Sequence, residues 1–409
     1  MLSSILSYNH TKNHRKETNK QMKLFHISDL HIGKQLHSYN LKDLQTEILC
    51  RIAEKAEEHR PDIILIAGDI YDKSIPSGEA CEIFDEFLNH LAGIRPSIPV
   101  LIIAGNHDSA MRLKFASSFL EKNNIYISVL PPQKEEEYLK KIVLKDEYGN
   151  VNFYMLPFTK PGYVRNLFGE ETANNYNNAV RAVIDREQID TSERNVIVAH
   201  QFFVSSTKEP EKCDSELAYI SVGGIDSVDV ECIRRFDYAA LGHIHGAQSI
   251  GEEYIRYSGT PLKYSVSEEH HKKGITIITL GEKNSPIQYE QLPLCASRDV
   301  RSVKGTLEQV IAMASEENRM DYVSITLTDE DAIYRPKDQL EEHYDNILEV
   351  KLENRRTKSK LETVNEAEEL LSPMEAFRDF YQIMNDQPLS SFEEEIMTEI
   401  IGEVINKQE

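Results

Sequence analysis

The sequence predicts an α/β fold, and three features of the chain support this prediction. Short runs of branched apolar residues alternate with amphipathic stretches of helical spacing from Lys23 onward. Glycine follows several of these runs, as in DIILIAGD and VLIIAGN. Such buried runs are typical of parallel or mixed sheets covered on both faces. Because 409 residues exceed what one core usually organises, we expect one large domain and smaller units.

The predicted elements follow one another in a regular order. Residues 1–22 are polar and lack a secretory signal pattern, so we expect a disordered tail or a stretch before the true start. The strand KLFHISDLH is followed by a helix through Ile48 to Ala56, the strand DIILIAGDIYD and a helix from Ala80 to Leu91. The later strands are VLIIAGNHD, VNFYMLPF, NVIVAHQFF and FDYAALGHIH. The apolar runs end at polar or metal-capable residues.

The composition argues against several classes of protein. No uninterrupted apolar run approaches the roughly 18 residues that a membrane helix requires, so we expect no membrane span. The five cysteines include no CxxC pair, which favours reduced thiols and a cytoplasmic location over a disulfide framework. A net charge of −22 argues against a broad nucleic-acid-binding surface. Any contact with DNA must be local, assisted by metal or shared with a partner.

Residues that can bind metal ions collect at five strand ends. In an open α/β sheet, loops at the carboxyl ends of the strands converge on one ligand site. Imidazole and carboxylate groups without thiolates select borderline divalent ions, so manganese, iron, zinc or cobalt would fit, and manganese is our first choice. The candidates are Asp29 and His31 in SDLHIG, Asp69 in AGDIYD, Asn106, His107 and Asp108 in AGNHDS, His200 in VAHQF, and His243 and His245 in LGHIHG.

The spacing of the candidates has a geometric reason. Residues i and i+2 of an extended segment point the same way, so DLH and HIH can each offer two ligands. Asp69 follows a glycine that permits a tight turn, and its two carboxylate oxygens could bridge two cations. Each motif alone is weak, because a GD pair is commonly a turn and a lone histidine is commonly a hydrogen-bonded core residue. Their occurrence together favours one metal site.

These motifs, in this order from Lys23 to Tyr264, resemble the calcineurin-like metallophosphoesterase superfamily. The resemblance implies a β-sandwich flanked by helices. Three further phrases, YSGTPLKYSVSE, HHKKG and SPMEAFRDFYQIMNDQPLS, resemble the D subunits of bacterial SbcCD exonucleases. This second resemblance narrows the expected substrate to DNA.

The superfamily resemblance implies two Mn²⁺ ions, with other divalent ions as alternatives. One ion would be held by Asp29, His31, Asp69 and His245, and the other by Asp69, Asn106, His200 and His243. Two ions about 3.5–4 Å apart can activate water and stabilise the charge that grows during an in-line displacement. The resemblance makes His107 the catalytic residue that contacts the phosphate, and we expect Asp108 to orient its imidazole.

One position departs from the family pattern. Archaeal and eukaryotic relatives often carry a histidine three residues after the bridging aspartate, where this chain has Asp72. We expect Asp72 to position water or to hold a loop, and a simple turn residue is the alternative. The basic residues near the motifs could contact the DNA backbone, although solvated surface charge is the favoured interpretation for each of them. They are Lys34, Lys73, Arg112 and Lys114.

The second half of the chain predicts a change of domain. We expect the nuclease domain at 23–285, closed by KKGITIITL as an edge strand, with a boundary between 285 and 300. The resemblance implies a smaller α+β capping domain at 295–354. Residues 355–409 have the spacing of amphipathic helices. These helices either pack on their own domain or dock onto an SbcC-type coiled-coil ATPase, and the resemblance also implies a homodimer within a heterotetramer.

Three functions remain open at this point. The first is an ATP-regulated nuclease subunit in DNA recombination, replication and repair, acting as a 3′–5′ exonuclease on duplex ends and an endonuclease on hairpins and single strands. The second is a stand-alone metallophosphatase or cyclic-nucleotide phosphodiesterase. The third, a catalytically inactive scaffold, is disfavoured because it would not need seven ligands.

Overall fold

The computed structural model describes residues 21–205, 209–217, 226–331 and 333–354, together with scattered residues between 374 and 401. The predicted tail lies outside the described residues except for Gln21 and Met22, and Met22 begins the first strand. Most of the predicted C-terminal helices at 355–409 also lie outside the described residues.

The strands of the described residues form five sheets. The first ten strands are β1 (Met22–Ile27), β2 (Gln35–Leu36), β3 (Tyr39–Asn40), β4 (Ile63–Ala67), β5 (Val100–Ile103), β6 (Ile125–Ser128), β7 (Lys140–Asp146), β8 (Gly149–Leu156), β9 (Arg194–His200) and β10 (Phe202–Val204). The later strands are β11 (Ser227–Asp229), β12 (Tyr238–Gly242), β13 (Gln248–Ile250), β14 (Glu252–Tyr257), β15 (Gly274–Leu280), β16 (Gln288–Pro293), β17 (Val300–Gly305), β18 (Tyr322–Leu327) and β19 (Asn346–Leu352).

Helices connect many of the strands. They are α1 (Lys42–His59), α2 (Gly78–Gly93), α3 (Ala110–Leu113), α4 (Ser117–Leu120), α5 (Pro161–Phe168), α6 (Tyr176–Arg186), α7 (Asp214–Leu217), α8 (Leu307–Ala312) and α9 (Pro336–Glu341). Helix α1 buries Leu44, Ile48, Ile52 and Ala56, whose four-residue spacing places them on one face. No helix of the described residues is long and apolar enough to cross a membrane.

Two six-stranded sheets form the main core. Their strand orders are β16-β15-β1-β4-β5-β6 and β13-β14-β12-β9-β8-β7. One hydrophobic cluster takes Leu24, Leu65 and Ile103 from the first sheet and Val198 and Tyr238 from the second, so the sheets pack face to face. The α/β fold with a helix-flanked sandwich, as predicted from the sequence and its family resemblance, is confirmed.

The site depends on parallel pairing within each sheet. Strands β1, β4, β5 and β6 run parallel to one another in the first sheet. Strands β8, β9, β12 and β14 do so in the second. Because parallel strands end on the same edge, the loops that follow β1, β4, β5, β9 and β12 are brought together.

The prediction that KKGITIITL forms an edge strand is wrong. Strand β15 lies inside the first sheet, where it pairs antiparallel with both β1 and β16. The edge is instead formed by β16, whose residues are mostly exposed or half-buried. The sequence did not predict β16, because the polar residues of QYEQLP do not have the pattern of a strand that pairs with the apolar strand β15.

The chain divides into two compact units. The first comprises Met1–Arg301 with Met320–Tyr322, and the second comprises Ser302–Arg319 with Val323–Glu409. The second unit contains most of a three-stranded sheet in the order β17-β18-β19. Its core is a separate cluster that includes Val310, Ile325 and Leu340.

Candidate metal centre

The candidate ligands lie at the carboxyl ends of five strands of the first unit. Six of the seven are buried, and Asn106 is half-buried. Burial of this many polar side chains is costly unless they are paired or bind a cation. The seven side chains are Asp29 and His31 after β1, Asp69 after β4, Asn106 after β5, His200 at the end of β9, and His243 and His245 after β12.

The backbone at these residues is strained. Four of the seven adopt positive φ angles, at 55° for Asp29, 43° for His31, 49° for Asp69 and 103° for His243. Side-chain-bearing residues rarely occupy this region, and each such residue costs about 1–3 kcal/mol. The surrounding packing therefore holds these loops in a backbone conformation that is unfavourable by itself but brings the candidate ligands together.

Two glycines allow the loops to approach one another. Gly68 has a φ of +91°, and a Cβ there would collide with the ring of His200. A Cβ at Gly105 would collide with the carboxylate of Asp69. The glycines in AGD and AGN are therefore required by close contacts between neighbouring strand ends.

The seven side chains form two groups around Asp69. The first, which we call the His245 group, consists of Asp29, His31 and His245. Their ligand atoms all lie within 4.8 Å of one another. The Nε2 atoms of His31 and His245 are 3.2 Å apart. The second, which we call the Asn106 group, consists of Asn106, His200 and His243.

The Asn106 group is equally close. The Oδ1 atom of Asn106 lies 3.0 Å from Nε2 of His200 and 2.9 Å from Nδ1 of His243. Oδ2 of Asp69 lies 3.3 Å from Nε2 of His200 and 3.8 Å from Nε2 of His31. The carboxylate of Asp69 therefore stands between the two groups. Buried oxygen and imidazole donors in two groups that share one carboxylate fit a pair of divalent cations.

The histidines of the site differ in their pKa values. Burial lowers the pKa of His200, but the carboxylate of Asp69 outweighs burial and raises this pKa to about 9. Burial also lowers the pKa of His245, and hydrogen bonds to its ring reverse the shift and raise this pKa to about 10. Burial and the charge of His200 lower the pKa of His243 to about 3. Protons and metal ions compete for such ligands, so a cation would displace protons from this site.

His107 lies beside both groups. Its backbone N–H donates to Oδ1 of Asp69 at 2.9 Å, and its Nε2 lies 3.9 Å from Oδ2 of the same carboxylate. Its Nδ1 lies 2.7 Å from the backbone carbonyl of Asp72. A carbonyl can only accept, so Nδ1 carries the proton and donates it. The remaining nitrogen, Nε2, faces the site.

The prediction that Asp108 orients His107 is wrong. The Asp108 carboxylate accepts hydrogen bonds from the backbone N–H groups of Ile70, Tyr71 and Gly105. These bonds tie the loop after β5 to the loop after β4. Sequence adjacency suggested a contact between neighbours, but Asp108 binds backbone N–H groups and Nδ1 of His107 donates to the carbonyl of Asp72.

Asp72 contacts two site histidines in different ways. Its backbone carbonyl accepts from His107, and its Oδ1 lies 3.7 Å from Nδ1 of His31. The same carboxylate accepts from Nζ of Lys34 at 2.9 Å. Lys34 is therefore already paired, whereas Lys73, Arg112 and Lys114 are exposed.

Sequence reasoning missed the side chains that support the ligands. Gln45 of α1 donates to the backbone carbonyl of His31 at 2.7 Å and accepts from Gly33 N–H at 2.9 Å. Others surround His245 and come from distant parts of the chain, where no ligand motif marks them. They are Ser215, Glu216, Glu268 and Lys273.

Comparison with known proteins places the chain in a family. The calcineurin-like phosphoesterase family matches residues 22–247, and the type 5 capsule protein repressor C-terminal domain matches residues 296–385. The D subunit of nuclease SbcCD from Staphylococcus epidermidis is 30% identical over 95% of this chain and 100% of the relative. Its counterpart from Staphylococcus saprophyticus is 31% identical over 80% of this chain and 84% of the relative.

Among solved structures, a dimetal phosphatase from Danio rerio is 12% identical, with a TM-score of 0.35, over 67% of this chain and 99% of that chain. This structural likeness is weak beside the sequence relationship. The family match spans more than half of the chain, and the relatives align along most of it. The chain therefore belongs to the calcineurin-like phosphoesterase family and, within it, to the family of SbcCD nuclease D subunits.

Proposed function

We propose that the protein is the nuclease subunit of an SbcCD-type complex and hydrolyses phosphodiester bonds of DNA with two Mn²⁺ ions. The observation that carries this proposal is the position of Asp69 between two buried groups of ligands. The names of the two staphylococcal relatives support a nucleic-acid substrate.

Each residue of the site has a role in this proposal. The His245 group and Asp69 hold one ion, and the Asn106 group and Asp69 hold the other. When bound, the ions activate water and stabilise the negative charge that develops on the phosphate. His107 contacts the phosphate through Nε2, because its Nδ1 is occupied by the carbonyl of Asp72. In its protonated form it can stabilise charge there or give the Nε2 proton to the leaving sugar oxygen.

The finer activity that we propose rests on the sequence resemblance to SbcCD D subunits. We assign 3′–5′ exonuclease activity on duplex ends and endonuclease activity on hairpins and single strands, in recombination, replication and repair. The nuclease domain is assigned to residues 23–285 and the capping domain to residues 295–354. The five free cysteines support a reducing, cytoplasmic location.

A partner is expected to supply much of the DNA-binding surface. The net charge of −22 opposes broad contact with phosphates. An SbcC-type coiled-coil ATPase, docked on the helices that the sequence predicts within 355–409, would add cationic surface and make cleavage dependent on ATP. Those helices lie mostly outside the described residues, so this part rests on the relatives' names and the sequence pattern.

Of the proposed homodimer within a heterotetramer, the pairing of two copies is supported by an exposed apolar surface on α2 and the segment from α3 to α4. Met111, Phe115 and Phe119 are 77%, 83% and 65% exposed. Phe115 and Phe119 line a groove of about 480 Å³ together with Phe84 and Leu88 of α2. Exposed aromatic residues around a groove are typical of protein interfaces. Two copies of this chain could therefore pair through α2 and the segment from α3 to α4.

The test is hydrolysis of end-labelled duplex and hairpin DNA by the purified chain. The assay compares manganese, magnesium and chelator, with and without an SbcC-type partner and ATP. We expect manganese-dependent shortening that the partner enhances and the chelator abolishes.

Lack of DNA cleavage under every condition, with turnover of a nitrophenyl phosphate ester, would contradict the nuclease assignment. The two-metal site would then belong to a stand-alone metallophosphatase. Labelling each end separately decides the polarity in the same experiment.

A further inference from the structure

The ring of His245 lies between the metal site and a buried polar network. Its Nε2 faces the site, 3.2 Å from Nε2 of His31. Its Nδ1 points the other way and lies 2.8 Å from the hydroxyl of Ser215 and 3.5 Å from Oε1 of Glu268. The two ring nitrogens therefore have separate tasks.

Glu268 is fully buried and charged. Lys273 donates to its Oε2 at 2.6 Å, and the hydroxyl of Ser215 donates to its Oε1 at 2.8 Å. The backbone N–H of Tyr264 also donates to Oε1, at 3.3 Å. A buried carboxylate with an ammonium partner and several donors is stable in its ionised form.

The direction of the hydrogen bonds fixes the protonation of the imidazole. An ionised carboxylate can only accept, so Ser215 must give its single hydroxyl proton to Glu268. The Ser215 oxygen is then left to accept from His245, which requires a proton on Nδ1. Nε2 consequently keeps its lone pair for the site.

The same network holds the backbone of His245. Lys273 donates to the carbonyl of His245 at 3.0 Å and to the hydroxyl of Thr260 at 2.6 Å. Glu216 accepts from the backbone N–H of His245. Ring and main chain are therefore held from three sides.

We propose that Glu268, acting through Ser215, is a positioning residue that sets the tautomer and orientation of His245 for binding of one of the two metal ions. This inference rests on the proposed two-metal function. It gives a role to YSVSE and KKG, which contain Glu268 and Lys273 and hold no ligand of their own.

The decisive variant is Glu268→Gln. The Lys273 ammonium has only donors, so the amide oxygen of the glutamine should turn to Lys273 and its NH₂ group to Ser215. Ser215 would then donate to Nδ1 of His245, and the proton would move to Nε2, where it blocks the metal. We expect about 10–100-fold weaker binding at one of the two ions and unchanged binding at the other.

Binding is measured with Mn²⁺ alone, by electron paramagnetic resonance of the free ion, on the full chain without DNA. Circular dichroism and thermal melting report on folding. The matched control is Glu269→Gln, since Glu269 is the neighbouring carboxylate and pairs with His270 at 3.5 Å. Ser215→Ala provides a second variant, because it removes the relay and leaves the pair of Glu268 and Lys273 intact.

Selective weakening of one ion in both Glu268→Gln and Ser215→Ala, with Glu269→Gln resembling the wild type, supports the inference. Two ions bound with unchanged affinity in both variants would overturn it, as would equal loss of both ions together with a lower melting temperature. Failure of the wild type itself to bind Mn²⁺ would instead refute the proposed function.

Discussion

The two groups of candidate ligands lie on either side of Asp69 and are supported in different ways. In the His245 group, the ring of His245 is held by Ser215 and a buried ion pair. In the Asn106 group, His243 is held by its backbone N–H, which donates to Asp29, and by contact of its Nδ1 with Asn106. Its Nε2 is buried without a hydrogen-bond partner among the described residues.

This difference shows that spacing and support are separate properties. His243 and His245 are two residues apart in one short segment, yet the pKa of the first is lowered to about 3, by burial above all, and that of the second is raised to about 10. Burial lowers both, but only the second ring has hydrogen-bonding partners that reverse the shift. A motif therefore specifies which side chains can bind a metal ion. The residues that surround each side chain determine its pKa and its orientation.

The largest effect is expected where the two groups meet. Asp69→Ala should affect both groups alike, because each loses the carboxylate that lies between them. Metal chemistry of this kind contributes several kcal/mol, so we expect hydrolysis to fall about 10⁴-fold and binding of both ions to weaken. Mn²⁺ titration and DNA cleavage measure this, and retention of one ion at normal affinity would contradict the shared role.

The next largest effect concerns the buried ion pair that supports the His245 group. Lys273→Met leaves Glu268 buried without its ammonium partner, which is expected to lower the free energy of unfolding by about 3–5 kcal/mol. Urea denaturation of the metal-free protein measures this. Lys272→Met, at the exposed neighbouring position, should change it by less than about 0.5 kcal/mol.

A third change should leave both groups intact. His107→Ala removes the imidazole that we propose contacts the phosphate and leaves the seven candidate ligands in place, so we expect hydrolysis to fall about 10²-fold with little change in Mn²⁺ binding. Parallel titrations and cleavage assays test this. If His107→Ala lost metal to the same extent as Asp69→Ala, His107 would have to be counted among the ligands.

The smallest effect is expected at the loop that carries His31. Gln45→Ala leaves the carbonyl of His31 and the N–H of Gly33 without this partner, at a cost of about 1–3 kcal/mol in the free energy of unfolding, measured by urea denaturation. Binding in the Asn106 group should not change. Weakening of both ions to the same degree would contradict this, and would mean that a change at His31 reaches the Asn106 group through Asp69 or through the hydrogen bond from His243 to Asp29.

The sequence indicated which candidate ligands lie together, but it did not indicate the side chains that support them. Asp29, Asp69 and His200 could be identified because each follows or ends an apolar strand, and the carboxyl ends of parallel strands converge. Glu268 and Ser215 carry no such mark, since neither lies at the end of a long apolar run and their contacts with His245 span 23 and 30 residues of chain.

The same limit explains the two wrong predictions. Asp108 was assigned to His107 because the two are adjacent, but hydrogen bonds to the backbone of Gly105, Ile70 and Tyr71 direct its side chain elsewhere. Strand β15 looked like an edge because β16 is too polar to be recognised as a strand. The local sequence pattern can predict a strand, but the position of that strand in the sheet depends on which other strands pair with it.

The carbonyl of Asp72 makes the orientation of His107 independent of the side chain at that position. The contact that orients His107 is made by a main-chain atom, which every amino acid possesses. Substitutions at position 72 can therefore alter the charge near His31 without releasing His107. The aspartate found here and a histidine, as in the family pattern, are both compatible with the same hydrogen bond. What this contact requires is the backbone conformation at position 72.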